Sequence, residues 1–243
     1  MRENSKTLTA IFRNNPESLH QKGVNRLKLD SGCLFSAGRD GIVNQYSLSD
    51  CLLTKSYKNH IHWVNDLEIS ESLIFSASSD SRILMWRRDS ENSKPLNSIF
   101  AHRDYIYSIK FVGSNLISAG EDGRLMRTDL DSKSTELFSS QYSIWSIDCS
   151  QNLIGLALSF KVTDKKTAKI LDFRNPKSEL ELKGHSNLVR KILIRPDEKV
   201  ALTCSSDSSV KLWDIGTRKV IETYSMHSSS VFALSSYWDQ EYL

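Results

Sequence analysis

The stretch from Lys183 to Asp214 reads KGHSNLVRKILIRPDEKVALTCSSDSSVKLWD. It opens on a Gly-His pair, Gly184-His185, and closes on a Trp-Asp pair, Trp213-Asp214. Between them lie three short apolar runs, Val189 to Ile194, Val200 to Cys204 and Val210 to Trp213, separated by turn residues at Pro196-Asp197 and Ser206-Asp207. Short alternating runs bounded by Pro, Asp and Ser predict antiparallel strands joined by tight turns.

The unit recurs. The aliphatic residue that opens its first strand appears as Val24, Val64, Ile106, Ile144, Val189 and Val231, in steps of 40, 42, 38, 45 and 42 residues. A fixed step of this size, with Gly-His and Trp-Asp ends, resembles the blades of a WD40 β-propeller. The resemblance implies an all-β fold, a propeller left incomplete at about five and a half blades of four-stranded antiparallel sheets. The repeats are assigned to residues 20–59, 60–101, 102–139, 140–184, 185–226 and, in part, 227–243. Residues 1–19 precede them. There Thr7 to Arg13 is expected to form a strand that closes the ring against the last blade, ended by Asn14-Asn15-Pro16. The last residues are expected in the second strand of blade six. The chain is therefore read as a fragment or truncated product of a longer protein, with apolar edge surface on an open side.

In a WD blade, Asp, His, Ser or Thr, and Trp join in a buried hydrogen-bonded clasp. The resemblance assigns this clasp to His185, Thr203, Asp207 and Trp213 in repeat five, and to His60, Ser76, Asp80 and Trp86 in repeat two. Every member finds a partner, so polar groups between strands become a fastening and not a penalty. Repeat one has His20, Ser36 and Asp40 with Tyr46 in the Trp place; repeat three has His102, Ser118 and Asp122 with Thr128 there. Repeat four is degenerate, with Ser140 for His, Leu171 for Trp and a long turn at FKVTDKKT; repeat six offers His227. Five of the six histidines thus have structural places, and His62, beside Trp63, reads as a rim residue. Asp, His and Thr are also the ingredients of a catalytic triad, but a nucleophile must be reachable and this hydroxyl is expected to be buried against Trp213.

Composition excludes several classes. The net charge is +3 and no run of five basic residues occurs, so nucleic acid is not an expected partner. The densest basic group, Lys161, Lys165, Lys166 and Lys169, reads as a solvated loop. Cys33, Cys51, Cys149 and Cys204 are far apart with no CxxC, which suits single thiols in a reducing compartment, the cytoplasm or nucleus, with no metal and no cofactor. No apolar run is long enough for a membrane span or signal peptide. Phosphate loops, nucleophile elbows and paired metal-ligand motifs are missing, so the chain is not expected to be an enzyme.

Function is then expected on the rim. The positions just after the opening aliphatic are Asn25, Asn65, Tyr107, Trp145, Arg190 and Phe232; those just before it are Gly23, Trp63, Tyr105, Ser143, Leu188 and Ser230. The residues before the turn aspartates are Arg39, Ser79, Glu121 and Ser206. All of these are expected on one face, the top. From that set Trp63, Tyr105, Tyr107, Trp145, Arg190 and Phe232 are the candidate partner-binding residues, because aromatics and Arg make binding hot spots.

A closer resemblance rests on GVNRLKLD with LFSAGRDGIV, HWVNDL with SASSDS, HRDYIYSI, SIWSID, LKGHSNLVRKIL and RKVIETYSMHSSSVFAL, preceded by TLTAIFRNN. These are similar to successive repeats of the WD repeat-containing protein 48 family. That resemblance implies a non-catalytic regulatory subunit that binds and activates a ubiquitin-specific protease, with Arg190 and Phe232 carrying much of the contact. Alternative readings are a substrate receptor of a cullin-type ubiquitin ligase and a general scaffold or peptide reader. The first of these is weakened because Ile215-Gly216 follows Trp213-Asp214 and because Leu171-Asp172-Phe173-Arg174 lacks the Trp.

Overall fold

Residues 19–90, 92–159 and 167–236 are described by the structure, a computed structural model. Among them there is no helix; every regular element is a strand, and the strands form five four-stranded antiparallel sheets. The fold class is that of an all-β WD40 propeller.

Each sheet is a meander in which consecutive strands pair, because a few turn residues suffice to reverse an antiparallel chain. Blade one comprises β1 (Val24–Asp30), β2 (Cys33–Gly38), β3 (Ile42–Ser47) and β4 (Leu53–Lys58). Blade two comprises β5 (Val64–Ile69), β6 (Leu73–Ser78), β7 (Ile83–Arg87) and β8 (Asn97–Ile99). These two belong to a compact unit, residues 1–100. The second unit, residues 101–243, holds the other three blades. Blade three is β9 (Ile106–Val112), β10 (Asn115–Gly120), β11 (Arg124–Asp129) and β12 (Ser134–Ser139). Blade four is β13 (Ile144–Cys149), β14 (Leu153–Leu158), β15 (Thr167–Asp172) and β16 (Asn175–Lys183). Blade five is β17 (Val189–Ile194), β18 (Val200–Ser205), β19 (Val210–Asp214) and β20 (Lys219–Tyr224).

In blade five the three expected strands form within one residue of their expected ends, and a fourth, β20, completes the sheet. The turns that join strands use left-handed residues, among them Glu198 and Ser208 with φ of 62° and 67°. In blades one and three the residue two before the turn aspartate is Gly38 or Gly120. A methyl on Gly120 would lie 2.1 Å from the Tyr105 carbonyl oxygen, and one on Gly38 would lie 2.1 Å from His20 Nδ1 and 2.2 Å from Asp40 Oδ1.

The core is built between blades. In the first unit Phe35, Val43 and Tyr57 of blade one pack on Val64, Leu67, Ile74 and Trp86 of blade two. In the second, Ile117 and Leu125 of blade three meet Ile147, Leu156 and Leu171 of blade four. The opposite side of blade four, with Ala168, Ile170 and Leu182, meets Val189, Ile192 and Trp213 of blade five. Leu171 fills the Trp place of blade four with a fully buried aliphatic side chain.

Three expectations need correction. The described part of the sixth repeat, residues 227–236, forms no strand. Val231 is buried and donates its N–H to the Ser205 carbonyl at 3.0 Å, a single bond where a ladder needs several. His227 is exposed and joins no clasp among the described residues, so the histidines with clasp roles are His20, His60, His102 and His185. Lys169, expected in a solvated loop, lies on β15, where the ladder sets it opposite β16; it pairs with Glu179 and its ammonium sits 5.3 Å from the Phe138 ring centre. The expected strand at Thr7 to Arg13, the lysines Lys161, Lys165 and Lys166, and the end of the sixth repeat from residue 237 lie outside the described residues.

Candidate functional site

The clasps fix the geometry beneath the rim. In blade five the Thr203 hydroxyl lies 2.7 Å from His185 Nε2 and accepts the Trp213 indole N–H at 2.7 Å, while His185 Nδ1 lies 2.8 Å from Asp207 Oδ2. Blade two repeats this with Ser76 at 2.8 Å from His60 Nε2 and 2.9 Å from Trp86 Nε1, and with Asp80 at 2.9 Å from His60 Nδ1. Thr203, Ser76, Trp86 and Trp213 are fully buried. Neither hydroxyl is reachable by a substrate, which removes the triad reading.

Blades one and three keep the lower half of the clasp. His20 bridges Ser36 at 2.7 Å and Asp40 at 2.9 Å; His102 bridges Ser118 at 2.8 Å and Asp122 at 3.0 Å. Tyr46 is buried but accepts a bond from Asn44 Nδ2 at 3.1 Å, and Thr128 pairs with Ser134 at 2.8 Å. Thr128, paired with Ser134, does not replace the indole donor.

The aspartates also organise the turns. Asp207 accepts from the Ser186 N–H at 2.9 Å, the Ser209 N–H at 3.0 Å and the Ser209 hydroxyl at 2.6 Å. Burial works to raise its carboxyl, but these bonds and His185 outweigh it and hold the group at about 2. Burial lowers His185 below its usual range against the pull of Asp207, so the imidazole is neutral at pH 7. Blades two and five add a bond that sequence reasoning missed. Ser205 Oγ donates to the Asn187 carbonyl at 3.0 Å and accepts the Asp207 N–H at 3.1 Å; Ser78 accepts the Asp80 N–H at 3.0 Å. The signal was present as Ser-Ser-Asp in these blades against Gly-Arg-Asp and Gly-Glu-Asp in the others.

Blade four has no clasp among its described residues and is held from its neighbours. Asp148 on β13 accepts the Ile194 N–H of blade five at 2.8 Å and pairs with Lys110 of blade three at 3.0 Å. Glu198, in the β17–β18 turn, takes the Asn152 N–H at 2.6 Å, the Ser150 hydroxyl at 2.8 Å and Asn152 Nδ2 at 3.1 Å. Neither acid was singled out from the sequence, because these partners lie 38 to 48 residues away and no spacing announces them.

Above this frame the six candidate rim residues fall into groups. Three are exposed: Trp63 at 42%, Tyr105 at 43% and Phe232 at 66%. Tyr107, Trp145 and Arg190 are half-buried. Of the second unit's five, four form one stack. Tyr107 lies flat on Trp145 with centroids 4.8 Å apart and planes 4° from parallel; the Arg190 guanidinium lies 4.7 Å from the Trp145 ring centre and 5.1 Å from that of Phe232. Arg190 Nε donates to Ser206 Oγ at 2.7 Å, and the Tyr107 hydroxyl donates to Glu121 at 3.0 Å. Burial and the Glu121 carboxylate together push the Tyr107 phenol upward, so it stays protonated. In the first unit Trp63 has Arg39 over its ring at 5.0 Å and His62 tilted against it at 5.6 Å.

Chemically, the arrangement offers flat apolar surface and anchored guanidinium groups, a combination suited to gripping another protein. Among the described residues no group of three His, Cys, Asp or Glu side chains could hold a metal ion, and no helix is long and apolar enough to cross a membrane. The family model described as WD domain, G-beta repeat matches residues 176–214, the stretch that spans β16 to β19 and carries the complete clasp of blade five, so the chain contains a WD40 repeat on sheets of the propeller class.

Proposed function

We propose that this chain is a non-catalytic regulatory subunit that binds a ubiquitin-specific protease and raises its activity. The WD40 repeat supports a protein-interaction scaffold. The finer reading rests on the likeness to the WD repeat-containing protein 48 family set out above, and the observation that carries it is the Arg190 stack. A guanidinium clamped between Trp145 and an exposed Phe232 is a preorganised anchor that loses little freedom on docking. Activation then needs only that the scaffold bind the productive conformer of the protease better than the idle one. For the cullin-receptor alternative the relevant arginine is Arg174, and it is committed to its own Asp172 by bonds of 2.7 and 3.0 Å.

The test is a titration of this chain into a ubiquitin-specific protease while hydrolysis of a fluorogenic ubiquitin substrate and binding are read together. Arg190→Ala and Phe232→Ala should each weaken binding by about 2 kcal/mol or more, as hot-spot truncations do. Lys133→Ala, on an exposed turn remote from the stack, serves as control. Equal affinity and equal activation for all three variants would remove the proposal.

A further inference from the structure

The first unit carries a second guanidinium on an aromatic face, that of Arg39, a residue the sequence placed on the rim but did not assign to binding, over the candidate Trp63. Arg39 donates its backbone N–H to the Gly23 carbonyl at 2.8 Å and its Nε to Asn25 Oδ1 at 2.9 Å. Its guanidinium carbon lies 5.0 Å from the Trp63 ring centre. Asn25 is itself held, donating through Nδ2 to the Val64 carbonyl at 3.0 Å and to Asn65 Oδ1 at 3.3 Å, and Asn65 donates to Ser79 Oγ at 2.9 Å. A chain of side-chain amides therefore fixes one edge of the guanidinium, and an indole supports its plane. Both Nη groups remain uncommitted: Arg39 is exposed and forms no ion pair with a carboxylate of the described residues. Beside it stands Trp63, 42% exposed, an apolar flank next to an unused cationic fork.

Arg190 repeats the construction, with Nε tied to Ser206 Oγ and the plane held between two rings. An arginine fixed through Nε and stacked through its plane has two parallel N–H donors left, the geometry that matches a carboxylate. We propose that Arg39 and Trp63 form a carboxylate-reading site for an acidic segment of a protein partner, with the Nη pair gripping an Asp or Glu side chain and Trp63 packing its aliphatic stem. This rests on the reading of the rim as a docking face, and it adds the chemistry that the partner must present there.

The site can be tested without the partner. The full chain is titrated with an acetylated, amidated Leu-Glu-Asp-Glu-Leu peptide, with its Gln/Asn counterpart and with a phosphoserine version, while the 15N resonances of Arg39 Nε and Trp63 Nε1 are followed. The acidic peptide should shift both resonances saturably, and the carboxamide peptide should bind about tenfold more weakly or worse. Arg39→Lys keeps the charge but loses the fork, so it should lower affinity about fivefold or more while the fold, read from the backbone spectrum, is unchanged. The proposal is overturned if the acid and carboxamide peptides bind alike, if Arg39→Lys binds as the parent does, if no saturable shift appears, or if the phosphoserine peptide binds much more tightly than the carboxylate one. Protease binding that survives loss of this selectivity would sink the inference and leave the docking face standing. Loss of protease binding to Arg190→Ala alone bears only on the face.

Discussion

At the scale of single residues, the clasp shows how a polar group becomes useful inside a sheet. Thr203 has one hydroxyl and serves both an imidazole and an indole; it is fully buried, so neither neighbour has water as a substitute. Asp207→Ala leaves His185 Nδ1, the Ser186 N–H and the Ser209 groups without their acceptor, and should lower stability by about 1–3 kcal/mol in urea unfolding. Binding should fall only as far as folding falls. Trp145 makes a contrasting case. Its Nε1 is buried with no acceptor among the described residues, while its ring is stacked on Tyr107 and Arg190. Trp145→Phe discards an unsatisfied donor and keeps an aromatic face, so it should cost about 1 kcal/mol or less, well below the usual loss on truncating a buried aromatic. A cost above that of Asp207→Ala would show that the indole N–H is satisfied after all.

At the scale of the element, each blade solves the same problem with different material. Blades two and five use the complete clasp with a serine before the turn; blades one and three lack the indole donor and place glycine at that position. In blade three the reason is steric, since a Cβ on Gly120 would overlap a backbone oxygen that cannot swing away. Gly120→Ala should therefore destabilise the chain by about 1–3 kcal/mol, the range for overpacking, and thermal melting checks it. Blade four has no clasp among its described residues and relies on acids that bridge to its neighbours. Glu198 accepts three bonds from Ser150 and Asn152, and although burial opposes ionisation these bonds keep its carboxyl below the usual range. Glu198→Ala should lower stability by about 1–3 kcal/mol and raise hydrogen exchange first in the β13–β14 turn. Uniform loss of protection across blades would contradict the bridging role.

For the molecule as a whole, the repeated imidazole–carboxylate pairs tie stability to pH. His185 has a folded pKa below 6.5, so the unfolded chain takes up its proton first as pH falls, and folding stability present above 6.5 is lost below it. Asp207 has a folded pKa of about 2 against an ordinary 3.8, so its contribution is intact above 3.8 and fades as pH falls toward 2. Asp80 and Asp122 are likewise lowered, burial opposing and their histidine bonds and backbone bonds prevailing. In each window the unfolded state binds more protons, so all act in the same direction. The urea midpoint should be flat above neutrality, decline below about pH 6.5 and decline more steeply below about pH 4. His185→Gln should flatten the first step, and a midpoint that rises on acidification would refute the linkage.

The sequence alone determined the all-β class and the blade period, because strand alternation is local and the repeat is fixed in spacing, and its resemblance to WD blades marked the two complete clasps. In blade five even the strand limits were legible to within a residue. Tertiary structure alone decided the rest. That Arg190 lies between Trp145 and Phe232, that Asp148 and Glu198 hold the degenerate blade, and that His227 joins no clasp among the described residues depend on how distant repeats are brought together. Which side chain faces which neighbour is set by how blades pack, and packing leaves no periodic mark in the chain.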